Sequence, residues 1–348
     1  GVKLMAAYKS VLSDELLKGC AERAGIYDRE NSCFSEDFEQ LKAVGYLTGT
    51  IPTEFGGSGL NLLQSCQEQR KLAYYAPATA LALNMHLYWL GVAADLWRNG
   101  DKSLEWLLRQ GVEGEIFAAG LSERGNDLPL FLSTTKATKV DGGFRFTGHK
   151  MFGSLTPVWT RMGLHGMDTD HPDGPRIIHA FMPRDTDGFE IKKTWDVMGM
   201  RATRSDDTIL EDVFIPDKYI ADIVPAGQGD PFVLTDFAWA LLGFGTVYCG
   251  VAKRAIDLVL PIVQGKSSLG MTRPMSYHPE VQHSVARMML AYQTMNPVLD
   301  NTAAEWVAGV DHGANWPAKI VGTKYHCVEN CWKIVDTAMD VSGGTGMF

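Results

Sequence analysis

Lys136-Ala137-Thr138-Lys139-Val140-Asp141-Gly142-Gly143-Phe144-Arg145-Phe146-Thr147 is the stretch whose reading decides the fold. On either side of Asp141-Gly142-Gly143 the side chains alternate in polarity, the period of strands with one buried face. The Asp-Gly pair supplies the backbone freedom that a tight hairpin turn demands. Arg176 to Met182 and Thr208 to Ile215 also read as strands, and turn residues crowd positions 168–175 and 184–188. A middle β domain is expected over residues 116–228.

Outward from this hairpin the spacing changes. Leu12, Leu16, Leu17 and Cys20 recur at helical intervals, as do Phe38, Leu41 and Val44. After a glycine-rich break at Ile51-Pro52-Thr53-Glu54-Phe55-Gly56-Gly57-Ser58-Gly59-Leu60, helical pattern resumes from Leu62 to about Asn99 and from Ser103 to Gln110. An N-terminal helical domain is expected over residues 1–115. Helical pattern returns from about Phe232, through Ala255 to Val263, Val281 to Leu299 and Lys319 to Val341, a C-terminal helical bundle over 229–348. The chain is thus α+β, in the order helices, strands, helices. There is no βαβ alternation, and Gly343-Gly344-Thr345-Gly346 follows a helix rather than a strand, so a dinucleotide fingerprint is excluded.

Composition narrows the function. With 45% hydrophobic and 21% charged residues and a net charge of −9, the chain is a poor partner for nucleic acid or an anionic membrane. The apolar run Trp239 to Ala252 falls short of the ~20 residues a membrane span needs, and reads as a buried helix. No charged-then-apolar targeting segment opens the chain, so a cytoplasmic location is expected. The six cysteines form no CxxC pair and read as free thiols. His278 and His283 lack a ligand pattern, and no metal is expected.

Five segments carry a resemblance to the acyl-CoA dehydrogenase family. Ile51 to Leu60 resembles its Ile-Pro-Glu-x-Tyr-Gly-Gly-x-Gly-Leu signature. Leu121-Ser122-Glu123 is similar to a Leu-Thr-Glu segment, and Gly148-His149-Lys150-Met151-Phe152-Gly153-Ser154 to Gly-x-Lys-x-Trp-Ile-Thr. Met198 to Ser205, followed by Glu211 to Pro216, and Val341 to Gly346 complete the set, in the family's order and spacing.

The resemblance implies an FAD-dependent oxidoreductase that dehydrogenates an acyl-CoA thioester between its α and β carbons. Electrons would pass to an electron-accepting flavoprotein or to oxygen. It implies FAD bound between the β domain and the bundle, and a homodimer or homotetramer in which a neighbouring subunit completes the site. Phe152 matches an aromatic packed on the flavin, Ser154 a hydroxyl near its N5, and Leu121 and Ser122 backbone amides at its pyrimidine edge. Arg201 and Thr203 fall where the family approaches the pyrophosphate or the neighbouring subunit. Gln282, Gly343 and Gly344 match contacts to the partner's cofactor. Lys266 or Arg273 stands in for an arginine, and Asp340 occupies a glutamine position.

The reaction needs a carboxylate base. One family position for it is Ala240 here; the other lies beyond Phe348, in a C-terminal segment that the chain is expected to lack. The base is expected first in that segment beyond Phe348; Asp236, one helical turn before Ala240, is a second candidate, against its reading as a helix cap or surface carboxylate near Thr235. The family's acyl-CoA-positioning Asp and Arg are Ala238 and Leu241, and Arg124-Gly125-Asn126-Asp127-Leu128-Pro129 departs from Pro-Gly-x-Gly-Ser-Asp. Two alternatives therefore stand beside the dehydrogenase: a flavin monooxygenase on the same fold, which needs no such base, and a non-catalytic ligand-binding subunit.

Overall fold

The computed structural model describes residues 8–347. Five helices come first: α1 (Asp14–Glu30), α2 (Ser35–Ala43), α3 (Leu62–Tyr75), α4 (Pro77–Arg98) and α5 (Glu105–Glu113). Local chemistry sets their ends. Ser13 caps α1 by accepting from Leu16 N, and Asn31 closes it in the left-handed conformation at φ 48°. Asn61 and Gln64 form a reciprocal capping box at the start of α3.

Eight strands follow: β1 (Phe117–Gly120), β2 (Lys136–Val140), β3 (Gly143–Gly153), β4 (Arg161–Asp168), β5 (Arg176–Pro183), β6 (Phe189–Lys192), β7 (Asp206–Pro216) and β8 (Ile220–Pro225). They form one sheet in the order β6-β7-β3-β2-β4-β5-β8, with β1 pairing in parallel with β4. The hairpin read from the sequence is β2–β3, in register from Lys136↔Thr147 to Val140↔Gly143. The β3–β7 register shifts between Lys150 and Gly153. Such a bulge re-aims side chains, and here it falls at Phe152.

Three long helices close the chain: α6 (Pro231–Gly265), α7 (Pro279–Val307) and α8 (Trp316–Ser342). The Trp239–Ala252 run forms the middle of α6, a 35-residue helix apolar enough to cross a membrane by composition; 72% of its most apolar window is buried within the protein. It packs on α3, α4, α7 and α8. Close approach to α4 depends on Gly91, where an added Cβ would lie 2.2 Å from the Trp239 ring. The cap of α6 is Asp230, which accepts from Val233 N at 2.8 Å, so Asp236 is not a cap. All six cysteines are free, and five of them are buried.

Candidate functional site

A cavity of about 540 Å³ lies between the sheet and the C-terminal helices. Its α6 wall is a single helical face: Asp236, Phe237, Ala240, Leu241, Phe244 and Tyr248 recur every one to four residues. From α4 come Leu81, Met85 and Tyr88, again one face. β1 and β3, with the residues that follow each of them, contribute Ala119, Leu121, Ser122, Phe152 and Ser154; the segment before β7 contributes Trp195, Met200, Thr203 and Ser205.

Backbone strain marks the same place. Among the described residues, Leu130, Phe152 and Met200 line the cavity with φ of 75°, 55° and 55°, and Leu155 and Arg204 sit next to lining residues at 67° and 46°. Non-glycine residues in this region cost on the order of 1–3 kcal/mol each and cluster at functional sites. Phe152 is also 52% exposed, its ring edge-on to Trp195 at 5.9 Å. Ser205 Oγ lies 2.7 Å from both Ser154 Oγ and Thr203 Oγ1, a hydroxyl cluster at the cavity wall. An exposed aromatic platform beside hydroxyls and backbone amides suits a flavin, whose flat ring needs apolar contact and whose edge needs hydrogen bonds.

Asp236 is the one acid on this wall. Its side chain is buried, Oδ2 has no hydrogen-bond partner among the described residues, and burial pushes its pKa up to about 8. Tyr88 is 2% exposed and makes no side-chain hydrogen bond to a described residue. Burial, with a further push from the Asp236 charge, holds its pKa well above the ordinary value.

A second buried polar group joins β3 to the segment after β1. Lys150 Nζ donates to Glu123 Oε1 at 2.6 Å and to the His165 carbonyl at 2.6 Å, with both charged side chains fully buried. Glu123 also accepts from the Ser133 and Thr135 hydroxyls, the Thr134 and Thr135 amides and Asn126. Burial would raise its pKa, but the charge and hydrogen bond of Lys150, with the Thr135 hydroxyl, hold it well below the carboxylate range; burial lowers Lys150 to about 8. The pair fixes the backbone next to Ser122 and Phe152, and Met151 N donates to the Ser122 carbonyl at 2.9 Å.

Leu121, Ser122, Phe152, Ser154 and Asp236 thus meet at one cavity. Arg201 does not line it: its guanidinium donates to the Asp28 and Val197 carbonyls and to Asp196, tying α1 to the segment before β7. Gln282, on α7, donates to the Ser276 carbonyl, and Gly343 and Gly344 follow the end of α8, where Lys266 Nζ reaches the Ser342 carbonyl. None of these three lines the cavity of its own chain. Sequence reasoning missed Tyr88, Trp195 and Ser205. Tyr88 had a signal, a hydroxyl at helical spacing from Leu81 and Met85; Trp195 lies in an irregular segment and had none.

Residues 6–104 match the family model described as "Acyl-CoA dehydrogenase, N-terminal domain", and residues 242–348 match "Acyl-CoA dehydrogenase, C-terminal domain". Among curated proteins, the mitochondrial isovaleryl-CoA dehydrogenase of Arabidopsis thaliana is 27% identical over 345 residues, 97% of this chain and 81% of that protein. L-evernosamine nitrososynthase of Micromonospora is 26% identical over 261 residues, 72% of this chain and 61% of that protein. The solved butyryl-CoA dehydrogenase of Megasphaera elsdenii matches with a TM-score of 0.81 at 18% identity, over 97% of this chain and 90% of that one. The chain belongs to the acyl-CoA dehydrogenase family. It is a flavoenzyme with FAD as its cofactor.

Proposed function

We propose that this flavoenzyme removes two hydrogens across the α and β carbons of an acyl-CoA thioester, with Asp236 taking the α-proton. The observation that carries the reading is the Asp236 carboxyl, its Oδ2 unpartnered among the described residues, in an apolar cavity that Phe152 and Ser154 also line. FAD supplies the acceptor for a hydride from the β carbon. Phe152 and Trp195 would flank the ring; the Leu121 and Ser122 amides and the hydroxyls of Ser154, Thr203 and Ser205 would meet its polar edge. Leu81, Met85, Phe237, Leu241 and Phe244 hold the acyl chain and exclude water, which keeps Asp236 basic enough for the work. The Cα–H proton goes to Asp236, the Cβ–H pair leaves as hydride, and a Cα=Cβ bond forms.

The test is anaerobic addition of isovaleryl-CoA or butyryl-CoA to FAD-loaded protein. The flavin absorbance is expected to bleach, with the enoyl-CoA recovered by mass spectrometry. Failure of every saturated acyl-CoA to bleach it overturns the reading. A second reading, monooxygenation, is favoured by the apolar Ala238, Ala240 and Leu241 and by the kinship with a nitrososynthase. Oxygen consumption with an oxygen-bearing product and no anaerobic bleaching would establish it.

We also propose that the protein works as a homodimer or homotetramer. Gln282, Gly343 and Gly344 lie away from their own chain's cavity, and the bundle exposes Leu290, Tyr325 and Trp332 at 64%, 63% and 71%. Light scattering is expected to give at least twice the 38.3 kDa chain mass. A stable FAD-loaded monomer at micromolar concentration overturns this.

A further inference from the structure

Proton abstraction from carbon has two ends. As the α-proton leaves, its electron pair moves toward the thioester carbonyl, and negative charge gathers on that oxygen. A base alone does not stabilise this charge; a donor placed at the oxygen does, and preorganised donors of this kind supply large terms in catalysis. The cavity holds one side chain fit for that role beside Asp236. Tyr88 carries an O–H that makes no hydrogen bond to a described residue, and it lines the same cavity as Asp236, whose charge opposes its ionisation. Tyr248, the other lining phenol, lies twelve residues further along α6, about 18 Å by the helical rise.

Resting on the dehydrogenase reading above, we propose that Tyr88 is a catalytic residue that donates its hydroxyl proton in a hydrogen bond to the thioester carbonyl oxygen while Asp236 removes the α-proton. The phenol keeps its proton throughout. Burial makes its ionised form costly, so it acts as a donor only. The α-proton moves to an Asp236 oxygen, and the Cα–H electron pair becomes the Cα=C bond of the enolate, with charge on the oxygen facing Tyr88. That pair then makes the Cα=Cβ bond as the hydride departs to the flavin. The assignment also accounts for a polar side chain on an otherwise apolar face of α4. An unused hydroxyl in such a place is a cost to the fold; one matched to a substrate oxygen is not.

The test is Tyr88→Phe in the FAD-loaded oligomer, which removes the hydroxyl and keeps the ring. With the saturated acyl-CoA that bleaches the wild-type flavin fastest, kcat is expected to fall about 10²–10³-fold, with KM and FAD affinity nearly unchanged. Exchange of the α-hydrogens with D2O, read by mass spectrometry, is expected to slow by a similar factor. The rising limb of the pH–rate profile is expected to stay in place with a lower plateau. An unchanged plateau with the limb moved to higher pH would show that Tyr88 serves Asp236 rather than substrate, and overturns the proposal. So does unchanged exchange, or a rate loss that disappears at saturating FAD, which would show a packing role. If no acyl-CoA bleaches the wild-type protein, the dehydrogenase reading itself fails, an outcome distinct from normal wild-type bleaching with an undiminished Tyr88→Phe.

Discussion

Asp236→Asn is expected to slow acyl-CoA-dependent bleaching of the flavin by about 10²–10⁴-fold, the usual cost of losing a general base. Asn keeps the shape and the burial and removes only the basicity, so FAD binding is expected to survive. The dependence on pH has a definite sign. A base works ionised, and burial places the Asp236 pKa at about 8, so wild-type bleaching should rise with pH and level off above that value. Stability should run the other way. The folded pKa lies above the ordinary 3.8, so between about 4 and 8 the folded chain binds more protons than the unfolded one, and stability falls as pH rises through that window. Each pH unit inside it is worth up to about 1.4 kcal/mol. Asn, always neutral, escapes this loss. The variant should therefore melt above the wild type at pH 8, with the difference vanishing toward pH 4. Equal melting at both pH values, together with undiminished bleaching, would remove Asp236 from the site.

Glu123→Ala is expected to destabilise the protein by about 3–5 kcal/mol, because it strands a buried cation rather than merely deleting a contact. Lys150 would keep the His165 carbonyl and lose its counter-charge, while the Thr134 and Thr135 amides lose their acceptor inside the protein. Its pKa, already near 8, would fall further, so neutralising the amine adds to the loss. Urea unfolding is expected to show a lower midpoint at unchanged slope. FAD affinity should drop as well, since Glu123 and Lys150 adjoin Ser122 and Phe152. A change below about 1 kcal/mol would mean that the pair is exposed in solution.

The hairpin and the helical flanks were legible because their residues repeat at the periods of one-sided burial. β1 and β4 were not, since they are buried almost throughout and Phe117 to Gly120 and Arg161 to Asp168 carry no alternation. β6 and β8 are short and half exposed, with little pattern to read. At the site, motif likeness brought out Phe152 and Ser154, and counting along one helix face brought out Asp236. What the sequence withheld is the third dimension: that Tyr88 of α4 lines the same cavity as Asp236 of α6, and that Arg201 ties α1 to the segment before β7.

The α6 wall works as a rail with stops one turn apart. Phe232, Asp236, Ala240, Phe244 and Tyr248 occupy successive stops, and all but Phe232 open onto the same space. An acidic side chain can be shifted from one stop to the next by two substitutions, with no change to loops, sheet or cofactor platform. A lineage built on this helix can therefore slide its proton acceptor, shorten it or discard it while the rest of the molecule stays in place, and so pass between chemistries that need such a group and chemistries that do not.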